Sequence, residues 1–235
     1  MKSFPNNAKA LRATLFLASS AAAIAIASPA YADATAPCNA NAGPDGIAGN
    51  ADDVPESTEC GVNATASGAG ATAVGNQSSA SGTFSVAVGA RSVSTGVQSS
   101  AIGPAASALG NFSTAVGTFA NASGQQSHAF GDSATASASF AIAIGTAATS
   151  SSQSSIAIGA GSTTTTAGTT PSGAASLGTA VAIGNAARAT QEDAVALGDL
   201  ANASGFHATA IGGESVASGV GSQAFGWQAN ASGRT

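Results

Sequence analysis

Phe84-Ser85-Val86-Ala87-Val88-Gly89 returns fourteen residues later as Gln98-Ser99-Ser100-Ala101-Ile102-Gly103, and again as Phe112-Ser113-Thr114-Ala115-Val116-Gly117. The shared element is Ala, a large apolar residue, then Gly. Followed in both directions it occurs eleven times, with Val74, Val88, Ile102, Val116, Phe130, Ile144, Ile158, Ile183, Leu197, Ile211 and Phe225 as its apolar members. The glycines that close it are fourteen apart throughout, except between Gly159 and Gly184, where the gap is 25. A fixed short period of this kind marks a solenoid in which each turn stacks on the one before.

Let the signature glycine be position 0. Position −1 is then always apolar, −2 always Ala, −4 always Ala or Ser, and −3 mixed (Val86, Thr114, His128, Ile142, Gln223). A period of two means strand, because successive side chains point to opposite faces. Small residues recur at +3 and +5, as in Ala106 and Ala108 or Ala201 and Ala203, and a second Gly often stands at −7, as at Gly82 and Gly110. Each coil therefore reads as two strands of about five residues joined by two tight turns. Helix fails as a reading, since a Gly at every seventh residue would cost about 1 kcal/mol each. A coiled coil fails too, because the seven-residue beat carries small residues in place of paired large ones.

So narrow a coil leaves room inside only for small side chains. The apolar column from Val74 to Phe225 is then expected to form the repeat core by packing against the same column of partner chains, which makes self-association the expected state.

The N-terminus carries Lys2, Lys9 and Arg12, then an apolar stretch, then Ala30-Tyr31-Ala32. That pattern predicts a signal peptide over residues 1–32, and export. Without it three basic residues face eleven acids, and 3 − 11 gives a net charge of −8. Six of the acids precede Cys60, so the repeats are nearly neutral. Nucleic acid is not an expected partner, and neither is insertion into a membrane. In an exported chain Cys38 and Cys60 predict one disulfide within an acidic segment, residues 33–63. Asp45 and Asp52 faintly echo an acidic calcium loop, but Gly43 stands where that loop places a ligand. The expected cofactor set is empty, with calcium at Asp45 and Asp52 as the alternative.

The repeats resemble the N-S-V-A-I-G head repeat of YadA-like trimeric autotransporter adhesins. The likeness is carried by Phe84 to Gly89, Ser155-Ile156-Ala157-Ile158-Gly159 and Ala180-Val181-Ala182-Ile183-Gly184, and by second halves such as Ala120-Asn121-Ala122-Ser123-Gly124. It covers residues 64–235. The resemblance implies an all-β fold, a left-handed parallel β-roll of 14-residue coils assembled as a homotrimer. It also implies a bacterial surface or outer-membrane location and attachment to host matrix proteins, cells or surfaces. No heptad run or alternating-strand anchor pattern is readable, so the expectation is a piece of a longer adhesin or a secreted head.

Two departures from the family pattern stand out. At −5, where the family usually has Asn, this chain has Phe84, Phe112 and Phe140 on every other coil. They are candidates for an adhesive edge, or alternatively for a corner of the trimer interface. An insertion of eleven residues within about 160–176 brings Thr163, Thr164, Thr165 and Thr166 together, and is expected to leave the stack as a loop carrying adhesive residues.

Catalysis is not expected. His128 and His207 stand in different repeats without a Cys or carboxylate cluster at ligand spacing, and no serine has an activating base. The competing reading is a secreted β-solenoid that binds a crystalline or polysaccharide surface, of the ice-binding type. It would need a regular Thr-x-Thr column, which the sequence pattern does not offer. A β-helical acyltransferase needs a hexapeptide beat, and fourteen is not a multiple of six.

Overall fold

The computed structural model describes Asn39–Ala40 and residues 57–165 and 178–234. Among these residues it is all-β, a parallel solenoid whose coils feed two sheets of thirteen and twelve strands. A typical coil gives the three-residue strand Val86–Val88 to the first sheet and the two-residue strand Val93–Ser94 to the second. Strands in register are fourteen apart, as where Ala115 lies between Ala101 and Ala129.

The strands are shorter than the five residues expected from the alternation, because both turns are broad. The Ser92 N–H donates to the Gly89 carbonyl at 3.2 Å and the Ser85 N–H to the Gly82 carbonyl at 3.0 Å. Inside each turn one residue is left-handed: Arg91 has φ 58° and Phe84 φ 55°. Their N–H groups donate to the preceding coil, to Asn76 and Ala69 respectively, both at 2.8 Å. The turns thus belong to the inter-coil ladder as fully as the strands do.

The interior lies between the two sheets. Every buried apolar residue among the described ones is an alanine, and the largest fully buried side chain is Thr164. Several inward serines turn their hydroxyls back onto the turns, while those of Ser85, Ser113, Ser152 and Ser222 are buried without a partner. Ser92 Oγ donates to the Gly89 carbonyl at 2.9 Å and Ser99 Oγ to the Gly96 carbonyl at 2.7 Å. That local bond satisfies a polar group that burial would otherwise penalise.

The glycine columns set how closely coils approach. Gly89 has φ 132°, and a Cβ there would lie 2.5 Å from the Gly103 carbonyl oxygen. Both conformation and space therefore demand glycine. At −7 only space is at stake: a Cβ on Gly124 would meet the Ala138 oxygen at 1.9 Å, but Ala138 itself occupies that column. Backbone conformation explains why position 0 never varies while −7 does.

The stack begins earlier than the Ala-apolar-Gly signature does. Strand β1 (Asn39–Ala40) pairs antiparallel with β2 (Thr58–Cys60), and β2 already lies in register with Thr72–Val74 of the next coil. Gly61 plays the signature glycine with φ 127°, and Glu59 takes the inward place of the usual alanine. The coils thus start near residue 57, inside the segment expected to precede them. Glu59 has a reason to be there, since its Oε1 accepts a hydrogen bond from the Ala66 N–H. Ala66 lies in β3 (Thr65–Ala66), the outermost strand of the second sheet among the described residues. A side chain thus caps one sheet edge while β1 covers the other, as exposed edges require.

Cys60 is disulfide-bonded. Its expected partner Cys38 lies outside the described residues, as do the 1–32 leader and the calcium candidates Asp45 and Asp52. Across the insertion the ladder is unbroken: Ile156 pairs with Val181 and Thr163 with Arg188.

The two kinds of glycine can be separated experimentally. Gly117, with φ 132° and a carbonyl oxygen 2.4 Å from where its Cβ would be, should lose on the order of 3 kcal/mol or more on replacement by Ala. Gly161, with φ 64° and no atom within 4 Å, should lose only about 1–2 kcal/mol. Urea denaturation of G117A and G161A measures both, and equal losses would refute the close-stacking account.

Candidate functional site

Outside the alanine interior each coil shows solvent two sheet faces and two turn edges, and these four surfaces differ in chemistry. The first sheet displays positions −3 and −1. Its −1 column is the eleven-residue apolar series, which lies on the outer face of the coil and not within it. Ile102 and Leu197 are each 43% exposed, and Phe225 60%. Position −3 widens the apolar face where it carries Ile142, Ile156, Val181 and Val195, each beside the −1 residue of its own strand. His128 sits on this face with its ring roughly parallel to that of Phe130, centroids 6.4 Å apart.

The second sheet displays positions +4 and +6, and it is polar. Asn121, Thr135, Thr149 and Thr163 follow one another in register. Beside them at +6 stand Ser123, Ser137, Ser151 and Thr165. A Thr-x-Ser/Thr column therefore does exist over three coils, where the sequence pattern suggested none. The repeat's apolar and small positions dominate that pattern, and +4 and +6 are neither.

The insertion threonines divide. Thr163 points outward on this polar face. Thr164, expected at an adhesive surface, is instead completely buried. Its Oγ1 donates to Ser155 Oγ at 3.0 Å and to Ser150 Oγ at 3.2 Å, and those two hydroxyls are 2.6 Å apart. The period of two explains this: position +5 faces inward whichever residue fills it. Thr166 lies outside the described residues.

The turn edges carry the aromatics. Phe84, Phe112 and Phe140 have left-handed φ of 55°, 59° and 60°. They are 57%, 46% and 47% exposed. Left-handed backbone costs a side chain about 1–2 kcal/mol, and Asn offsets it by local hydrogen bonding where Phe cannot. The Phe84 ring lies against the preceding coil, since a Cβ on Gly70 would be 2.6 Å from its Cδ1. Gln98 and Gln126 fill the intervening coils of the same edge, both left-handed and exposed. The opposite edge holds residues that the repeat signature does not announce: Phe119 at +2 (63% exposed), Leu200 at +2 and Trp227 at +1. Position +2 is −5 moved by half a repeat, which relates Phe119 and Leu200 to the phenylalanine edge once the coils are aligned in space.

Charged and titratable groups do not gather. His207 Nδ1 lies 3.7 Å from Asp193 Oδ2 with both side chains about half exposed, and Asp193 also accepts from the Thr179 hydroxyl. Among the described residues no three ligand-type side chains cluster as a metal would need.

This geometry meets its counterpart in known proteins. The family model for the YadA head domain repeat matches residues 61–76, 66–92, 94–120, 122–148, 140–162, 179–201, 203–229 and 217–234. The chain belongs to the YadA head family. YadA-like heads are parts of exported surface adhesins, and the parallel solenoid of 14-residue coils is their fold. Among solved structures, the chain is similar to the collagen-binding domain of the Yersinia adhesin YadA, at 30% identity and a TM-score of 0.49 over 59% of this chain and 72% of that one. No curated protein matches it.

Thr164→Ala is expected to destabilise the coil by about 1 kcal/mol, because it removes the buried bonds to Ser150 and Ser155, whose hydroxyls keep their bonds to each other and to the Ser155 and Ser152 carbonyls. It should leave surface binding unchanged. A binding loss at unaltered melting temperature would return Thr164 to the surface.

Proposed function

We propose that this chain is the non-catalytic head of a bacterial surface adhesin, working as a homotrimer that attaches to host extracellular matrix, cells or surfaces. The observation that carries the reading is the −1 column, a run of large apolar side chains held on the outside of a coil too narrow to take them in. Burying one such side chain fully contributes about 1.5–3 kcal/mol. Repeated along the stack, that is a strong drive for three copies to meet along this face. The polar sheet face and the aromatic edges are then left for partners, and three copies of each give avidity.

Export is part of the proposal, through the 1–32 signal peptide, with the outer membrane as the destination when the head is carried on a longer adhesin. No cofactor is required. Collagen is the first matrix ligand to test, because it is what the similar Yersinia domain is named for binding. One feature favours a second reading, a secreted solenoid laid on a crystalline or polysaccharide surface. It is the hydroxyl column of Thr135, Thr149 and Thr163, whose rungs are spaced like strands in a sheet.

The test is binding of the mature chain to immobilised matrix proteins, ice and crystalline polysaccharide in parallel, beside Ile144→Asp. Saturable matrix binding that weakens at least tenfold in I144D, through loss of avidity, is the expected outcome. Retention on ice or polysaccharide alone would overturn the adhesin reading in favour of the second.

A further inference from the structure

The outer face of the first sheet carries no carboxylate, lysine or arginine. From Thr58 to Phe225 its −3 and −1 columns hold aliphatic, aromatic, hydroxyl and amide side chains, the disulfide-bonded Cys60, and one histidine, His128. The charged residues of these described coils lie elsewhere: Arg188 on the polar sheet, Glu59 inward, and the others, such as Asp132, Asp193 and Asp199, at turns. Depletion of charge distinguishes the core of a protein–protein contact from ordinary surface. The face is therefore suited to a neutral, apolar counterpart, and further copies of the same face supply one.

His128 stands midway along this face. Its strand, His128–Phe130, lies between Thr114–Val116 and Ile142–Ile144. The outward side chains on either side are thus Thr114 and Val116, then Ile142 and Ile144, and none of them titrates. On its own strand the imidazole lies nearly parallel to the Phe130 ring, with 17° between the planes. The acid nearest along the chain is Asp132, which belongs to the following turn and accepts there from the Ser133 hydroxyl at 3.4 Å. No carboxylate on the face is placed to balance a charge on His128.

A rotation axis keeps each residue of a homotrimer at one height along it. The three His128 side chains therefore share one level of the assembly. Histidine is the side chain that changes charge between about pH 5 and 8. Neutral, it can pack beside phenylalanine and isoleucine. Protonated, it would place three like charges at one level of a desolvated contact without a counter-ion, which burial penalises. We propose that His128 is an acid-sensitive lock on the self-association face, holding the three copies together when neutral and loosening them when protonated. The proposal rests on the homotrimer reading and adds its regulation. Separated chains bind protons that the trimer excludes, so association is at full strength above about pH 6.5 and falls as the pH drops below it. One excluded proton weakens association about tenfold per pH unit, and three weaken it up to about a thousandfold.

The experiment is sedimentation equilibrium of the mature chain from about pH 7.5 to about pH 5.5 at fixed ionic strength. The concentration-dependent melting midpoint of the trimer serves as a second readout where dissociation is too slight to measure. H128T and H128I each carry the residue that a neighbouring coil has at −3, and H207Q removes the only other histidine. Wild type and H207Q are expected to lose about tenfold or more in association at the acid end, or several degrees in the midpoint. H128T and H128I should hold theirs within about twofold over the same range. An acid loss as large in H128T and H128I as in wild type overturns the lock, and so does its disappearance in H207Q. A wild-type trimer indifferent to pH by both readouts overturns the lock and leaves the trimer reading standing. A folded wild-type monomer at every pH overturns the trimer reading itself, and the lock with it.

Discussion

The narrowness of the coil governs everything else in this molecule. With both sheets closed over side chains no larger than threonine, the interior has room for alanine, serine and a single threonine among the described residues. Position 0 must be glycine, because its φ lies near 130° and the next coil's carbonyl crowds the place of a Cβ. A chain of this composition can still be rich in Val, Ile, Leu and Phe, but it has to wear them outside. The usual arrangement of apolar in and polar out is replaced by a division between faces. One sheet is apolar on its outer side, the other is polar, and the turns present aromatics.

That division gives the first coil its particular form. An open end of a parallel stack exposes N–H and C=O groups that another chain could pair with. Here β1 lies antiparallel on β2, and the Glu59 carboxylate accepts from the Ala66 N–H at the edge of the second sheet. A glutamate at an inward alanine position would be expensive in mid-stack. At this end it accepts from the Ala66 N–H, and the one exception to alanine at −2 among the described coils is found there.

Most of the fold is legible in the sequence because it is one-dimensional. The fourteen-residue spacing of the glycines sets the register, and the period of two assigns faces, so the parallel solenoid follows without any long-range guess. Expectation and structure part where local rules meet turn geometry. Five-residue strands become three and two because left-handed residues such as Phe84 and Arg91 lie in broad four-residue turns. Thr164 stands beside an insertion, which suggests a surface, although its parity already places it inside. The coil at Glu59 is hidden because its alanine and its apolar residue are replaced by Glu and Cys. Of the surface features, Phe84, Phe112 and Phe140 are legible as departures from a pattern. Phe119, Trp227 and the Thr135 to Thr163 column emerge only once the coils are aligned in space.

The central claim is that the apolar column is a subunit interface displaced to the outside of the coil. Sedimentation equilibrium of the mature chain tests it most directly. A mass three times that of the chain, unchanged on dilution through the micromolar range, is what the account predicts. A well-folded monomer with a cooperative melt would contradict it, since Ile102, Leu197 and their neighbours would then stand in water with no partner to justify them.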